Sequence, residues 1–436
     1  NYGAESILIM GGTGREGGPM LPAYAQACIG TPNACYTQSG YSCYIPRVAG
    51  TTYVLGATYP EMDYAGGLPG RYDDPMFELP ELIVFWAKEP LPSNGDGLFG
   101  HAAIDMMRRG SKLMCVEPRV NWVSTRADWH LRLRPGTDTA LAMAMLNVII
   151  EEDLYDHDFC ENWCNGFDKL AEHVKQFPPS WAAPITGISE EQIVHVARRI
   201  GTEKPMGVMY GNGAGDQAND GNWLSICLNL LVAITGNLDV PGGGGAGKKM
   251  PDPLFDTSKI GKIKPLMEKL PVYPEDAENG WAPSVSKLVA PEFPRWFQDP
   301  ETYTADTTFN YPRSAYNRAF QAILTGEPYE LKSMFAHSTN PLSQTRQPKM
   351  VAEALKKLDF FFVMDTAWNP SCDYADYVLP ACTRYEDSCQ IGVRNMPEGT
   401  FIGIEQQIAE PLGESRSDWR VYCDLAMAMG FGEDFW

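Results

Sequence analysis

The sequence lacks any pair of cysteines separated by two residues, although it contains 11 cysteines. The nearest two, Cys160 and Cys164, have three residues between them. This spacing disfavours a zinc ribbon, a thioredoxin-type redox site and an iron–sulfur motif contained within the chain. Only six histidines are present, and no HxxxH or Ser–His–Asp pattern stands out among them. Most of the cysteines are therefore expected to be small, buried apolar residues.

Positive charge is also scarce, since 35 Lys and Arg residues stand against 55 Asp and Glu residues. Phosphate neutralisation dominates general nucleic-acid binding, and no basic stripe offsets this deficit, so we expect no nucleic-acid partner. No apolar run is long enough to cross a bilayer, so we expect no direct membrane insertion. The chain starts at Asn1 rather than Met, which suggests processing or a segment of a longer polypeptide and leaves the compartment open.

What the chain does contain is a set of apolar, β-branched segments that each run into polar or glycine-rich residues. These segments are ELIVFWAKEP (81–90), KLMCVEPR (112–119), PMGVMYGNGAG (205–215), SMFAHSTNP (333–341) and DFFFVMDT (359–366). Alternation with helical patterns predicts βαβ units and parallel sheets, which bind ligands beyond the carboxyl ends of their strands. Five such ends exceed the need of one small substrate, so we expect a large, extended cofactor.

The length of 436 residues exceeds the usual size of one hydrophobic core and predicts two α/β domains. Helices are predicted at 98–109, stopped by Gly110, at 221–234 and at 348–358. Ser189 and Gln192 form a capping box that starts another helix. The stretch from Ile29 to Arg71 is predicted to be a long loop, and the strand–helix pattern begins afresh after Thr202.

Several strand ends carry residues suited to a nucleotide. Glu117 can accept two ribose hydroxyls and is followed by Arg119, whose guanidinium suits a phosphate, although a surface ion pair explains both equally well. The same arrangement recurs at Asp365 and Thr366. Gly211, Asn212 and Gly213 offer backbone donors without bulk, which suits a pyrophosphate. Asp138 stands at a helix start, where capping alone would explain it.

The segment GGTGREGG contains GxGxxG directly after a predicted strand, which favours a dinucleotide phosphate site at a helix N-terminus. This pattern supports an alternative function, an NAD(P)-dependent dehydrogenase. The following MLPAYAQACIG is a marginal helix, and no strand ending in an acid follows about twenty residues later. The loop GTPNACYTQSGYSCYIPR holds Cys35 and Cys43, and Arg47 nearby would favour a thiolate that acts as metal ligand or nucleophile.

Taken together, these motifs resemble those of the molybdopterin oxidoreductases of the dimethyl sulfoxide reductase family. They are GTPN with its loop cysteine, VEPRVNWVSTRADWHLRLRPGTDTALAMAMLNVII, YGNGAG through ITGNLDVPGGG, STNPLSQ, and DTAWNPSCDYADYVLP. They occur in this order and cover nearly the whole chain, so the combination of motifs is far more specific than any one of them alone.

The resemblance implies two related Rossmann-like α/β domains, one inserted into the other. Each would hold one of two molybdopterin guanine dinucleotides, which share a molybdenum or tungsten ion. With the fresh start near Thr202, we expect residues 1–34 and 203–436 to form one discontinuous domain and residues 35–202 to form the inserted one.

The resemblance also assigns residues to the cofactor. Contacts to one dinucleotide are expected from Glu117, Arg119, Gly136 and Asp138, with Lys88 where the family commonly carries Asn. Contacts to the other are expected from Gly211, Asn212, Gly213, Asn340, Asp365 and Thr366.

The metal ligand is expected to be Cys43, because it occupies the family's ligand position better than Cys35, and a soft thiolate suits such a metal. Arg15, Tyr44 and Arg47 are candidate catalytic residues in the substrate pocket. Hydrogen bonds that only stabilise the loop are an equally good explanation for these three.

GGTGR and CYIPR resemble the branch that contains acetylene hydratase, pyrogallol–phloroglucinol transhydroxylase and the catechol dehydroxylases. This implies reductive dehydroxylation, or transfer of a hydroxyl group or oxygen atom, on a small organic substrate. The family's N-terminal cysteine motif and C-terminal β-barrel-like domain are not in this sequence. We therefore interpret the chain as a central segment, with a four-iron four-sulfur cluster in a preceding part and an iron–sulfur electron-transfer subunit as partner. A non-catalytic binding or assembly module of the same fold is the remaining alternative.

Overall fold

The computed structural model describes residues 2–12, 23–31, 33–36, 45–55, 61–62, 70–93, 98–218, 220–245, 316–387, 391–396, 399–404 and 406–432. The chain divides into two compact units. Unit 1 comprises Asn1–Tyr41, Lys249–Gly392 and Gly403–Trp436, and unit 2 comprises Ser42–Lys248 and Val393–Ile402. The predicted site residues Arg15, Cys43 and Tyr44, and most of GGTGREGG, lie outside the described residues.

The described strands, in chain order, are β1 (Ile7–Gly11), β2 (Ala34–Tyr36), β3 (Glu61–Met62), β4 (Leu82–Trp86), β5 (Lys112–Val116), β6 (Trp129–Leu131), β7 (Met206–Tyr210), β8 (Gly244–Gly245), β9 (Ser333–His337), β10 (Phe360–Asp365), β11 (Tyr377–Pro380), β12 (Ile391–Met396) and β13 (Gly399–Ile404).

The described α-helices, in chain order, are α1 (Ile45–Leu55), α2 (Pro90–Ser93), α3 (Leu98–Arg109), α4 (Asp138–Glu151), α5 (His157–Trp163), α6 (Phe167–Val174), α7 (Pro179–Thr186), α8 (Glu190–Thr202), α9 (Asn212–Gly215), α10 (Gly221–Ile234), α11 (Tyr316–Thr325), α12 (Pro341–Gln344), α13 (Pro348–Leu355) and α14 (Asp418–Ala428). None of the helices in the described part of the chain is both long and apolar enough to cross a membrane.

Unit 1 is built on a five-stranded sheet with the order β11-β10-β9-β1-β2, in which every neighbouring pair is parallel. Both faces of this sheet are buried. Met334 of β9 packs in a cluster with Phe320 of α11, whereas its neighbour Phe335 packs on the opposite face in a cluster with Tyr422 of α14. Successive strand residues point to opposite faces, so apolar runs such as SMFAH are buried on both sides, as is typical of parallel sheets.

Unit 2 repeats this design with a four-stranded parallel sheet in the order β6-β5-β4-β7. Val84 of β4 belongs to the cluster formed with α4, α8 and α10, and Phe85 belongs to the cluster formed with α3. Helix α3 ends before Gly110, whose φ of 119° favours glycine, as the sequence predicted. The predicted α/β fold with two parallel-sheet domains is confirmed.

The predicted domain boundaries need correction. Strand β7 pairs with β4 along its whole length, from Leu82 opposite Met206 to Trp86 opposite Tyr210, so residues 203–248 belong to unit 2 rather than to the discontinuous domain. The five helices α4 to α8 form a long crossover that returns to the same sheet. A new strand–helix pattern in the sequence is therefore not evidence of a new sheet. The first boundary also lies later than residue 34, because β2 pairs with β1 in unit 1.

The prediction of a continuous loop from Ile29 to Arg71 is wrong, because this stretch contains β2, α1 and β3. Helix α1 has the sequence IPRVAGTTYVL, in which glycine and β-branched residues have low intrinsic helix propensity. Tertiary packing against α10 stabilises this helix, which local sequence patterns cannot reveal.

Candidate functional site

Each of the two parallel sheets contains one topological switch point, where consecutive strands are added on opposite sides. In unit 2 the chain goes from β4 to β5 and β6 in one direction, while β7 lies on the other side of β4. In unit 1 it goes from β9 to β10 and β11, while β1 and β2 lie on the other side of β9. Open α/β sheets bind ligands in the crevice beyond the strand ends at this point. We call these places the unit 1 crevice and the unit 2 crevice.

In the unit 2 crevice, two strand ends approach closely through a glycine. The amide of Gly211 donates to the carbonyl oxygen of Trp86 over 2.9 Å. A Cβ atom on Gly211 would lie only 1.9 Å from the carbonyl oxygen of Ala87, which itself has a φ of 47°. Only glycine permits this approach, and it leaves backbone without side-chain bulk where a ligand would bind.

The unit 1 crevice is built in the same way. The amide of Gly12 donates to the carbonyl oxygen of His337 over 3.1 Å. A Cβ atom on Gly12 would lie 1.8 Å from the carbonyl oxygen of Ser338, whose φ is 51°. Gly12 is the second residue of GGTGREGG. Its close approach to the residue after β9 gives it a packing role at the crevice.

The equivalence extends to the hydrogen bonds that fix the outer strands. The amide of Leu113 in β5 donates to the carboxylate of Asp128 over 2.8 Å. At the same position in unit 1, the amide of Phe361 in β10 donates to the carboxylate of Asp376 over 2.7 Å. Both pairs are 15 residues apart in the chain. The two sheets are therefore structural duplicates, in which β4, β5, β6 and β7 correspond to β9, β10, β11 and β1.

The predicted acids Glu117 and Asp365 occupy equivalent positions in this duplication. Glu117 follows Val116, which pairs with Trp86, and Asp365 follows Met364, which pairs with His337.

Neighbouring donors hold both carboxylates in place. Glu117 is 4% exposed, and its Oε1 accepts from the backbone amide and the Nε atom of Arg119, each over 3.1 Å. This hydrogen bond is the main cause of the raised pKa of Arg119. The Oδ1 atom of Asp365 accepts from the amide of Thr366 over 2.7 Å, and its Oδ2 accepts from the Nδ2 of Asn369 over 2.8 Å.

Asp138 combines a core contact with its position at the start of α4. Its Oδ1 accepts from the indole Nε1 of Trp86 over 2.8 Å, and burial raises the pKa of this carboxyl. The turn that precedes α4 contains Gly136, whose φ is 79°. Asp138 is the first residue of α4 and follows the N-cap Thr137, so its carboxylate lies at the helix start and contacts the last residue of β4.

The equivalent acid of unit 1 is Asp418 at the start of α14, and it was not predicted from the sequence. Its Oδ2 accepts from the hydroxyl of Ser338 over 3.1 Å, next to the switch point. Residues SRSD before α14 correspond to PGTD before α4, and this match was the signal that sequence reasoning overlooked.

A cavity of about 300 Å³ opens at the unit 1 crevice. Three of the predicted residues, Asn340, Asp365 and Thr366, line it together with Asp418 and Arg384. The side chain of Asn340 also caps α12, since its Oδ1 accepts from the amide of Ser343 over 3.3 Å.

The structure changes the grouping of the predicted residues. Gly211, Asn212 and Gly213 lie in unit 2, in the crevice that also contains Glu117, and not in the sheet of Asn340 and Asp365. Lys88 follows β4 in the same unit, with its ammonium 5.7 Å from the ring centroid of Phe99.

Of the predicted catalytic residues, Arg47 alone falls within the described residues. Its Nε lies 3.5 Å from the Oδ2 of Asp216, and its Nη1 donates to the carbonyl oxygen of Tyr210 over 3.2 Å. Cys35, the competing candidate for a ligand, is fully buried in β2 within the core of unit 1. The described residues contain no group of three or more His, Cys, Asp or Glu side chains that could hold a metal.

Two duplicated crevices, each with a glycine approach and an acid at a strand end, define an α/β protein built from two equivalent parallel-sheet units. Residues 96–428 match the model of the molybdopterin oxidoreductase family. The chain belongs to this family, and its relatives are members of the dimethyl sulfoxide reductase group, as its motifs predicted. The family's cofactor is molybdopterin with molybdenum or tungsten.

Relatives include acetylene hydratase of Syntrophotalea acetylenica, 29% identical over 93% of this chain and 52% of the relative. The thiosulfate reductase molybdopterin-containing subunit PhsA of Salmonella typhimurium is 28% identical over 76% of this chain and 41% of the relative. The solved structure of acetylene hydratase from Pelobacter acetylenicus has a TM-score of 0.79 and 26% identity, covering 100% of this chain and 56% of that one. The chain thus spans about half the length of the curated relatives it matches.

Proposed function

We propose that this chain is the central portion of a molybdenum or tungsten oxidoreductase and binds two molybdopterin guanine dinucleotides. The observation that carries this proposal is the duplication of the crevice. A single nucleotide cofactor needs one switch point, whereas this chain repeats the glycine approach, the strand-end acid and the helix-start acid in both units.

The residues of each crevice fit a dinucleotide. In unit 2, Glu117 would accept the ribose hydroxyls, Arg119 would face a phosphate, and Gly211, Asn212 and Gly213 would present backbone to the pyrophosphate. Lys88, Gly136 and Asp138 complete this group. In unit 1, Asp365 takes the ribose role, and Asn340, Thr366 and Asp418 line the same cavity.

When bound, the cofactor would supply a metal with accessible oxidation states for the transfer of a hydroxyl group or oxygen atom to or from a small organic substrate. Cys43 is the proposed protein ligand, supported by the burial of Cys35 in the core of unit 1. Arg15 and Tyr44 are proposed to bind the substrate and hold its proton. The likeness to acetylene hydratase supports a substrate that is small and organic. The proposed reaction is reductive dehydroxylation, or transfer of a hydroxyl group or oxygen atom.

An iron–sulfur electron-transfer subunit is the proposed partner, with a four-iron four-sulfur cluster in a preceding part of the polypeptide. The name of one relative, a molybdopterin-containing subunit, supports a multi-subunit enzyme. The family membership does not favour the NAD(P)-dependent alternative.

The test is the amount of guanine nucleotide released from the full-length protein and two variants. Glu117→Gln and Asp365→Asn each remove one carboxylate charge from one crevice, and the exposed Glu161→Gln in α5 is the control. We expect each crevice variant to release about half the wild-type amount of GMP, while the control releases the full amount. A full amount from both crevice variants would overturn the assignment of these acids.

A further inference from the structure

Helix α1 connects the proposed metal ligand to the rest of unit 2. It begins at Ile45, two residues after Cys43 in the sequence. Only two residues of chain, which span at most about 7 Å, separate Cys43 from the start of this helix in the sequence. The contacts that hold α1 in place therefore fix the point at which the proposed ligand segment joins the helix.

A close helix–helix contact and buried hydrogen bonds hold α1 on α10. A Cβ atom on Gly50 would lie 2.5 Å from the carbonyl oxygen of Asn222, so only glycine fits here. The hydroxyl of Ser225 in α10 donates to the carbonyl oxygen of Arg47 over 2.7 Å and lies 2.8 Å from the hydroxyl of Tyr210. These contacts fix the register of α1 over its first two turns.

A buried ion pair then ties the start of α1 to the loop after β7. The Nε of Arg47 lies 3.5 Å from the Oδ2 of Asp216, and the backbone amide of Arg47 donates to the Oδ1 of Asp216 over 3.1 Å. The side chain of Arg47 is 12% exposed, and that of Asp216 is fully buried.

Asp216 in turn belongs to the glycine loop of the unit 2 crevice. Its amide donates to the carbonyl oxygen of Asn212 over 2.9 Å, and it directly follows α9, which contains Asn212 and Gly213. One carboxylate thus connects the two segments that would carry the metal ligand and the pyrophosphate.

A buried ion pair is a weak way to stabilise a fold, because desolvation of both charges offsets their attraction. Apolar side chains of similar volume would hold α1 on the loop after β7 at least as well. The directional contacts of Asp216, to both the amide and the guanidinium of Arg47, instead specify one geometry. We propose that Arg47 and Asp216 are positioning residues that set the Cys43 segment relative to the dinucleotide loop. This proposal rests on the proposed function, and it replaces the expectation that Arg47 binds substrate.

The test uses the full-length enzyme with Asp216→Asn, which keeps the shape and removes the charge. The exposed ion pair between Arg198 and Glu152, with N···O distances of 2.6 and 2.8 Å, provides the control variant Glu152→Gln. Electron paramagnetic resonance of the Mo(V) or W(V) state reports the geometry of the metal ligands. Hydrogen exchange of peptides from 45–55 and 211–216 in metal-free protein reports the connection between the two segments.

We expect Asp216→Asn to keep most of its metal, to shift or split the paramagnetic signal, and to lower kcat at least tenfold with KM within about twofold. Exchange of both peptides should accelerate together, and Glu152→Gln should match wild type in every measurement. An unchanged signal and kcat in Asp216→Asn, with only a lower Tm, would overturn the proposal and leave the pair a structural contact.

Arg47→Lys keeps the charge but loses the planar fork, so it provides a second test if Asp216→Asn does not fold. A wild-type signal in Arg47→Lys would also overturn the proposal. Cys43→Ala separates this inference from the proposed function. If Cys43→Ala retains the wild-type signal, Cys43 is not the ligand and the proposed function fails at that point, whatever Asp216 does.

Discussion

Burial raises the pKa of the Asp216 carboxyl to about 6, although the guanidinium of Arg47 lowers it. An aspartate in an unfolded chain titrates near pH ~4. The folded protein therefore binds the proton of the Asp216 carboxyl more tightly than the unfolded chain does. The protonated carboxyl contributes stability at low pH, and this contribution is lost as the pH rises through the folded pKa. Relative to Asp216→Asn, we expect the wild type to lose about 1–3 kcal/mol of unfolding free energy between pH ~4 and ~6.5.

Urea unfolding of both proteins across this pH range checks the expectation. A difference in unfolding free energy that stays constant with pH would show that this carboxyl has the same pKa in the folded and unfolded chains, so that Arg47 compensates fully for its burial.

The glycine loop of unit 2 offers a matched pair of substitutions. A Cβ atom on Gly211 would meet the carbonyl oxygen of Ala87 at 1.9 Å, whereas one on Gly213 would meet nothing within 4 Å. We expect Gly211→Ala to lower the free energy of unfolding by about 1–3 kcal/mol, because the backbone must move to admit the Cβ atom. Gly213→Ala should leave it almost unchanged, because Gly213 is in a helical position with free space around it. Denaturant unfolding of both variants tests this, and equal losses would contradict the close approach at the crevice.

Single residues were predictable where they directly follow an apolar, β-branched run in the sequence. Glu117 and Asp365 stand directly after apolar runs, so the sequence alone located them at the two crevices. Asp418 was missed because the outer strand β11 is short and largely exposed, and β12 and β13 lie between it and α14 along the chain. The role of Arg47 was not predictable, because its partner Asp216 is 169 residues away.

Among the elements, the outer strands β6 and β11 test the duplication of the two sheets. Asp128 and Asp376 each accept a hydrogen bond from the neighbouring strand. We expect Asp128→Ala and Asp376→Ala each to cost about 0.5–1.5 kcal/mol, while the Asn variants, which still present an acceptor, cost less. Hydrogen exchange should accelerate at β5 and β6 in the first case and at β10 and β11 in the second. Acceleration in the wrong unit would contradict the described pairing.

The elements that the sequence predicted well are those with strong local patterns. Helices α3 and α10 match their predicted bounds, and Ser189 caps α8 by accepting from the amide of Gln192 over 3.3 Å. Helix α1 was not predicted, because its stability comes from Gly50 and the polar contacts with α10 rather than from its own residues.

For the whole molecule, the motif order predicted two parallel-sheet units, and the family match confirms the class. The boundary at residue 202 was wrong because β7 returns to the sheet of β4 after five helices, and pairing of distant strands is invisible in local patterns. As a result, Gly211 to Gly213 share a crevice with Glu117 and not with Asn340 and Asp365.

The central claim is that the two crevices hold two guanine dinucleotides on one metal. The most direct measurement is the molybdenum, tungsten and GMP content of the full-length protein, purified anaerobically from its native host. The account predicts close to one metal ion and two GMP molecules per chain. Folded protein with neither metal nor GMP would contradict it and would favour the non-catalytic alternative.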